Sequence, residues 1–307
     1  MSRNELTAIF CLPLLVLLAA GQAVAAEIYT WTPIVIPNVA ISSAFGPNDL
    51  GQIPIVDVTG TVSGIYQNGR FTRLPAPPQG YQVGAYGIND AGTIAGYATT
   101  TADAHLQGFV LQHGKYRFFS QSGWQNTAAR AIGPSGLVVG ISYQDDQSAY
   151  AGFVYDPSSG TFTDVTPPGS IYTIAQGMNR FGRIAGSGQD DIAGRYAFVW
   201  QQSASPDGTL QPFLERTNIA DGLANARGIN DDDVITGWMR SSSGLTTGFV
   251  GSAVHGYQVL LPPGGNASGA LSYCQGINNA RQVSCIITDV NGNTLAAFLG
   301  TPSGNEQ

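Results

Sequence analysis

Charge is scarce in this chain: only 11% of its residues are Asp, Glu, Lys or Arg, against about 25% in ordinary domains. Lys115 is the single lysine, and 13 basic side chains face 20 acidic ones, for a net charge of −7. Nucleic acids and anionic lipid surfaces are held through basic side chains, so both are disfavoured as partners. Histidine is limited to His105, His113 and His255. His113 and His255 each precede a glycine at matching turns, which reads as a structural role. The sequence contains no Gly-x-Ser-x-Gly, His-Glu-x-x-His or Cys-x-x-Cys, nor a cluster of His and carboxylates of the kind a hydrolytic metal site requires. Disorder is disfavoured too, because 43% of the residues are hydrophobic and charge is low.

Long apolar runs are also absent, except at the N-terminus. Arg3 is followed by an apolar stretch from Ala8 to Ala20, interrupted only by Pro13, and then by the small residues around Ala23-Val24-Ala25. That order is the signature of a secretory signal peptide, and the stretch is shorter than the ~20 residues needed to span a bilayer. The expectation is a signal peptide over 1–26, cleaved near Ala25 or Ala26, with no lipid-anchoring cysteine behind it. Residues 27–307 would then be one domain, monomeric, free of the membrane, and secreted or periplasmic.

Glycine is abundant, at 40 of 307 residues, and it accompanies frequent Val, Ile, Thr, Tyr and Phe. This composition suits short strands joined by tight turns. A phrase repeats along the chain: Tyr86-Gly87-Ile88-Asn89-Asp90-Ala91-Gly92 returns as Gln176-Gly177-Met178-Asn179-Arg180-Phe181-Gly182. It recurs around Gly46, Gly228 and Gly276, and in degraded form at Ala131-Ile132-Gly133-Pro134-Ser135-Gly136. A second anchor moves with the first: Ile65, Phe109, Phe153, Phe198, Phe249 and Phe298, each preceded by Gly or Ala. Two anchors at nearly constant offset, six times over, define six units of roughly 46 residues.

Each unit reads as four strands. In the second, Gln82–Asn89 ends in the phrase, Asn89-Asp90-Ala91-Gly92 turns the chain into Thr93–Thr99, and Gln107–Gln112 and Lys115–Ser120 follow. Three short connections and one longer crossover describe a propeller blade. The sixth unit stops after three strands, and the strand-like Ile28–Ile36 precedes the first. An all-β, six-bladed propeller closed by its N-terminal strand follows, since closure covers edges that an open sheet exposes. An open solenoid is the alternative, and no polar cap for one is visible.

These phrases resemble the bacterial extracellular HAF repeats, named for a His-Ala-Phe triplet beside Gly-Ile-Asn-Asp-x-Gly. The likeness covers nearly all of 27–307 but departs at the triplet, which here is Gln107-Gly108-Phe109, Ala151-Gly152-Phe153 or Tyr196-Ala197-Phe198. The resemblance implies an extracytoplasmic β repeat protein and brings no catalytic residues.

With Cys11 removed in the signal, Cys274 and Cys285 remain, and two cysteines in an exported chain suggest a disulfide. Cys274 stands where other units have Ala44, Ala85, Ala129, Ala175 and Ala226, and Cys285 where they have Gly96, Gly140, Gly186 and Gly237. A two-residue turn at Asn279-Ala280 would place the pair directly opposite. A three-residue turn with a bulge would shift the register and face them apart, and Arg281 in place of a glycine weighs against it. Two buried free thiols are the remaining alternative.

The best polar candidates are Asp145 and Asp146, and Asp190 and Asp191, in equivalent loops of units three and four, with His105 in the matching loop of unit two. Such carboxylates could bind Ca²⁺ or sugar hydroxyls, although Asp-rich loop tips are also ordinary solvated turns. No other cofactor is implied. Two functions stay open: a binding scaffold for a protein or glycan partner, and a carbohydrate lyase or hydrolase with its site at the channel mouth. The enzyme reading requires carboxylates, Arg or Tyr from several blades to converge in one cleft. The lack of catalytic motifs favours the scaffold.

Overall fold

The computed structural model describes residues 27–100, 102–167, 169–190, 194–204, 210–217, 224–240, 244–265 and 267–303. The signal-peptide expectation over 1–26 lies outside the described residues. Six four-stranded antiparallel sheets follow one another round a ring. Among the described residues no helix is long and apolar enough to cross a membrane. Blade two shows the plan, with an inner strand Tyr81–Ile88, then Ile94–Thr100, Gln107–Gln112 and the outer Lys115–Phe119. Its ends fall within about a residue of those read from turn chemistry, as strand assignment allows.

The sixth sheet runs Tyr29–Pro33, Thr294–Pro302, Val283–Thr288, Leu271–Ile277. The first strand of the chain therefore completes the last blade, with Trp31 opposite Gly300. Its ladder continues past both strand ends, through Ile34 N–H to Ala297 O at 2.8 Å and Ser303 N–H to Ile28 O at 2.7 Å. Glu27 fastens the latch: its N–H donates to Gln258 Oε1 of blade five at 2.7 Å, and its carboxylate meets Arg281 at 2.9 Å.

Volume is conserved between the second and third strands. In blades two to five a glycine on the second strand lies under the fully buried Phe109, Phe153, Phe198 or Phe249. A Cβ on Gly186 would lie 2.5 Å from the Phe198 ring. Blade one fills the same space with Ile55 opposite Gly64 beside Ile65. In blade six Cys285 takes the glycine's place opposite Phe298 and is bonded to Cys274 of the first strand, with the Cα atoms 3.9 Å apart.

The turn beneath that disulfide is not the two-residue form expected from Asn279-Ala280. Asn278 N–H donates to Gln282 O at 3.1 Å, Arg281 N–H donates to Asn278 O at 3.0 Å, and Arg281 takes φ 58°. All six inner turns have a left-handed residue here: Gly51, Gly92, Gly136, Gly182, Asp233 and Arg281. Tyr29 supports the non-glycine case by donating to Arg281 O at 3.2 Å. The longer turn offsets the register, pairing Gly276 with Ser284, and a β-bulge at Gln275 restores it so that Cys274 faces Cys285. Two departures from the expected hairpin cancel. The same bulge occurs between Ala85 and Gly87, Ala129 and Ala131, Ala175 and Gly177, and Ala226 and Gly228.

The residue after each bulge sits where inner strands of neighbouring blades nearly touch. A Cβ on Gly228 would lie 2.7 Å from the Gly276 backbone, and one on Gly177 would lie 3.0 Å from Gly228. Two residues further on, asparagine joins the blades. Its Oδ1 accepts the N–H four residues ahead, as from Thr93 to Asn89 at 3.0 Å and from Val234 to Asn230 at 2.9 Å. Its Nδ2 donates to the next blade: Asn48 to Asn89 O, Asn89 to Gly133 O, Asn179 to Asn230 O, Asn230 to Asn278 O, and Asn278 to Asn48 O, at 3.0–3.4 Å. The belt runs round the axis and lapses only at Gly133, which has no side chain to donate.

Asn278→Ala should therefore uncap one turn and loosen the junction of blades six and one, at a cost of about 1–3 kcal/mol for buried partners left unpaired, read from the urea midpoint. Cys274→Ala with Cys285→Gly restores the pair found in blades two to five. It should fold at a loss near the low end of ~2–4 kcal/mol, as the bridge closes a short loop.

Candidate functional site

A bulge turns its extra residue out of the ladder, and here that residue lines the central channel. Round the axis the six are Phe45, Tyr86, Arg130, Gln176, Arg227 and Gln275; Phe45 follows directly on the inner strand Ile41–Ala44. The ring has an aromatic side and a polar side. The Phe45 and Tyr86 rings meet edge to face at 4.2 Å, and the Arg130 guanidinium lies 4.8 Å from the Tyr86 centroid. Tyr97 backs Tyr86 at 5.2 Å. Gln176 lies between Arg130 and Arg227 in blade order, and Gln275 follows Arg227.

Among the described residues the two arginines have no counter-charge: neither forms an ion pair, and the buried Nε of each has no hydrogen-bond partner. Burial and then the Arg130 charge push Arg227 down to about 10, which leaves its guanidinium protonated at neutral pH. Buried polar groups are ordinarily satisfied, and a buried charge is costly without a partner. The cavity that they line offers about 130 Å³ to water-sized molecules, roughly ten times what a single water needs.

The mouth is formed by the inner turns and carries Asp49, Asp90, Asp231 and Asn279. A second belt runs here, from main chain to side chain. Asp49 N–H donates to Asp90 Oδ1 at 2.9 Å, Asp231 N–H to Asn279 Oδ1 at 2.8 Å, and Asn279 N–H to Asp49 Oδ1 at 2.7 Å. Pro134 occupies the corresponding place in blade three. Burial, and next the Asp49 carboxylate, raise Asp90 above its ordinary value. Asp231 faces Arg180 at 3.5 Å.

The loop candidates lie outside this cavity's lining. His105 and Asp145 come together across blades two and three: His105 Nε2 is 2.8 Å from Asp145 Oδ2, and its Nδ1 is 2.7 Å from Asp103. Asp145 also accepts from Asn126 at 2.7 Å and Gln125 at 3.2 Å. Asp146 turns into its own loop, accepting from Ser148 N–H at 3.0 Å. Asp190 differs from the exposed pair of blade three, being buried at the end of the strand Ile184–Asp190. Asp191 lies outside the described residues. Among the described residues no three His, Cys, Asp or Glu side chains gather closely enough to hold a metal ion. His113 takes φ 51° in its turn, and His255 Nδ1 meets Ser252 Oγ at 3.2 Å, so both serve local geometry.

The channel ring escaped the sequence reading, although a signal was present. It is the varying residue of Ala-x-Gly-Ile-Asn, the position that blade construction does not dictate.

No family model matches the sequence, and no curated protein matches it. Solved structures do. A gluconolactonase from Xanthomonas campestris superposes with a TM-score of 0.54 at 12% identity, over 92% of this chain and 93% of that one. A luciferin-regenerating enzyme superposes with a TM-score of 0.55 at 9% identity, over 90% of this chain and 96% of that one. At such identities the likeness is one of fold.

The His105–Asp145 pair generates a pH prediction. The hydrogen bond to Asp145, and then the Asp103 charge, raise His105 above 6.5, while Asn126 first and then His105 lower Asp145 below 3.8. The ion pair is complete below the unperturbed histidine value and fades as pH rises through the raised one. On the acid side it fades as pH falls through the lowered Asp145 value. An NMR titration should show His105 titrating above 6.5, and Asp145→Asn should bring it back down.

Proposed function

We propose that this chain is an extracytoplasmic binding protein whose central channel receives a polar group of a glycan or protein partner. The observation that carries this reading is the ring of channel residues, in which Arg130 and Arg227 have no counter-charge among the described residues and Gln176 and Gln275 accompany them. A propeller interior built only for packing would carry small apolar residues at these positions. The disulfide supports an oxidising compartment, and the shared Gly-Ile-Asn-Asp-x-Gly phrase supports kinship with the HAF repeats.

One observation favours a second reading, an extracytoplasmic lyase or hydrolase acting at the channel mouth. Arg130, Arg227 and Tyr86 come from three blades and converge on one cavity, as that chemistry requires. Release of reducing or unsaturated ends from acidic and neutral polysaccharides by the purified protein would establish it.

Glycan-array binding and capture from envelope extracts test the binding reading. Captured ligand should be lost when Tyr86→Ala and Arg227→Gln are combined in a protein that still folds. Retention in that variant, with loss instead on Asp145→Ala and His105→Ala, would move the site to the loop face.

A further inference from the structure

We infer that the channel ring takes a carboxylate-bearing sugar, its acid group held by Arg130 and Arg227 and its ring face laid against Phe45 and Tyr86. This rests on the channel being the binding site and names the class of ligand that fits it. Three features of the ring point the same way.

First, the ring carries two guanidiniums and, among the described residues, no carboxylate pairs with either. Guanidinium forks match carboxylate geometry, and such charge-assisted bonds are among the strongest a pocket makes. Second, Gln176 and Gln275 supply both donors and acceptors beside the arginines. A bare phosphate offers no donor to the glutamine carbonyls, whereas sugar hydroxyls donate as well as accept. Third, Phe45 and Tyr86 form an apolar wall opposite the polar side, joined at 4.2 Å. An anion without a carbon skeleton gains nothing from that wall, and a sugar's C–H face does. An acid group, hydroxyls and an apolar face occur together in a uronic acid.

The rim carboxylates oppose an anion, but they are engaged. Asp231 faces Arg180 at 3.5 Å, and Asn279 Nδ2 donates to Asp49 at 2.6 Å and to Asp231 at 2.7 Å. Charges at an open rim are also screened over a Debye length of ~8 Å in physiological salt, buried ones much less. The ligand could be a free sugar acid or the terminal unit of an acidic polysaccharide, and the ring chemistry is the same for both.

Calorimetry on the exported chain tests the inference with D-glucuronate, D-galacturonate, galacturonate methyl ester, glucose, inorganic phosphate and oligogalacturonides. A uronate should bind at least about tenfold more tightly than glucose, the methyl ester or phosphate, equivalent to ~1.4 kcal/mol. Arg130→Gln and Arg227→Gln should each bring uronate affinity down to that of glucose. Both should fold, because glutamine already occupies the same position in blades four and six, and thermal melting verifies this. Tyr86→Ala should weaken uronate and glucose alike. Oligogalacturonide binding that exceeds the monomer and depends on both arginines supports the inference and assigns the ligand to a chain end. Equal, Tyr86-dependent binding of uronate and glucose overturns the acid assignment and leaves the channel as the binding site. Phosphate binding as tight as uronate overturns the sugar. A panel in which no ligand responds to any ring variant overturns both readings.

Discussion

Six inner strands converging on one axis leave no room for side chains between their backbones, and the molecule is arranged around that crowding. Glycine after the bulge permits the approach, with the backbone of Gly276 lying where a Cβ on Gly228 would be 2.7 Å away. Asparagine two residues later uses the closeness: one amide caps its own turn with its oxygen and bonds the neighbouring blade with its nitrogen. Blade-to-blade cohesion is therefore polar and directional at the axis. Further out it is apolar, where Phe109, Phe153, Phe198 and Phe249 are wholly buried. Blade three is the exception, with Gly133 and Pro134 replacing both polar links.

The bulge connects construction to chemistry. It corrects the register offset introduced by the longer turn, and in blades two to six it extrudes one residue toward the axis. In blades two to six that residue has no counterpart opposite it on the next strand, so the ladder does not dictate its identity. Phe45, Tyr86, Arg130, Gln176, Arg227 and Gln275 place four residue types at equivalent points round the axis. A functional surface arises where packing stops constraining the sequence.

This explains what could be read in advance. Blade number, strand limits and closure were legible because they rest on spacing and turn chemistry repeated six times. The Cys274–Cys285 bond was legible because both residues replace small ones in a single blade, although the turn geometry assumed for it was wrong. The bulge was hidden: Ala-x-Gly reads as unbroken strand, and nothing in alternation marks an extra residue. The loop carboxylates were conspicuous as charge in a weakly charged chain. In the structure Asp145 is held by His105, Asn126 and Gln125, whereas among the described residues the channel arginines have no ion-pair partner.

Closure of the ring by Tyr29–Pro33 against Thr294–Pro302 has a kinetic side. The strand made first is the strand paired last, so most of the chain must be in place before its two ends can meet. Contacts of such sequence separation form slowly, because loop closure precedes any gain from them. Until then the Thr294–Pro302 edge stays open to any other strand, including that of a second molecule. The hairpin Leu271–Thr288 can meanwhile be locked by its disulfide, so the last blade waits as a preformed dock for the first strand. Folding of this ring is thus a search by one tethered strand for one prepared edge.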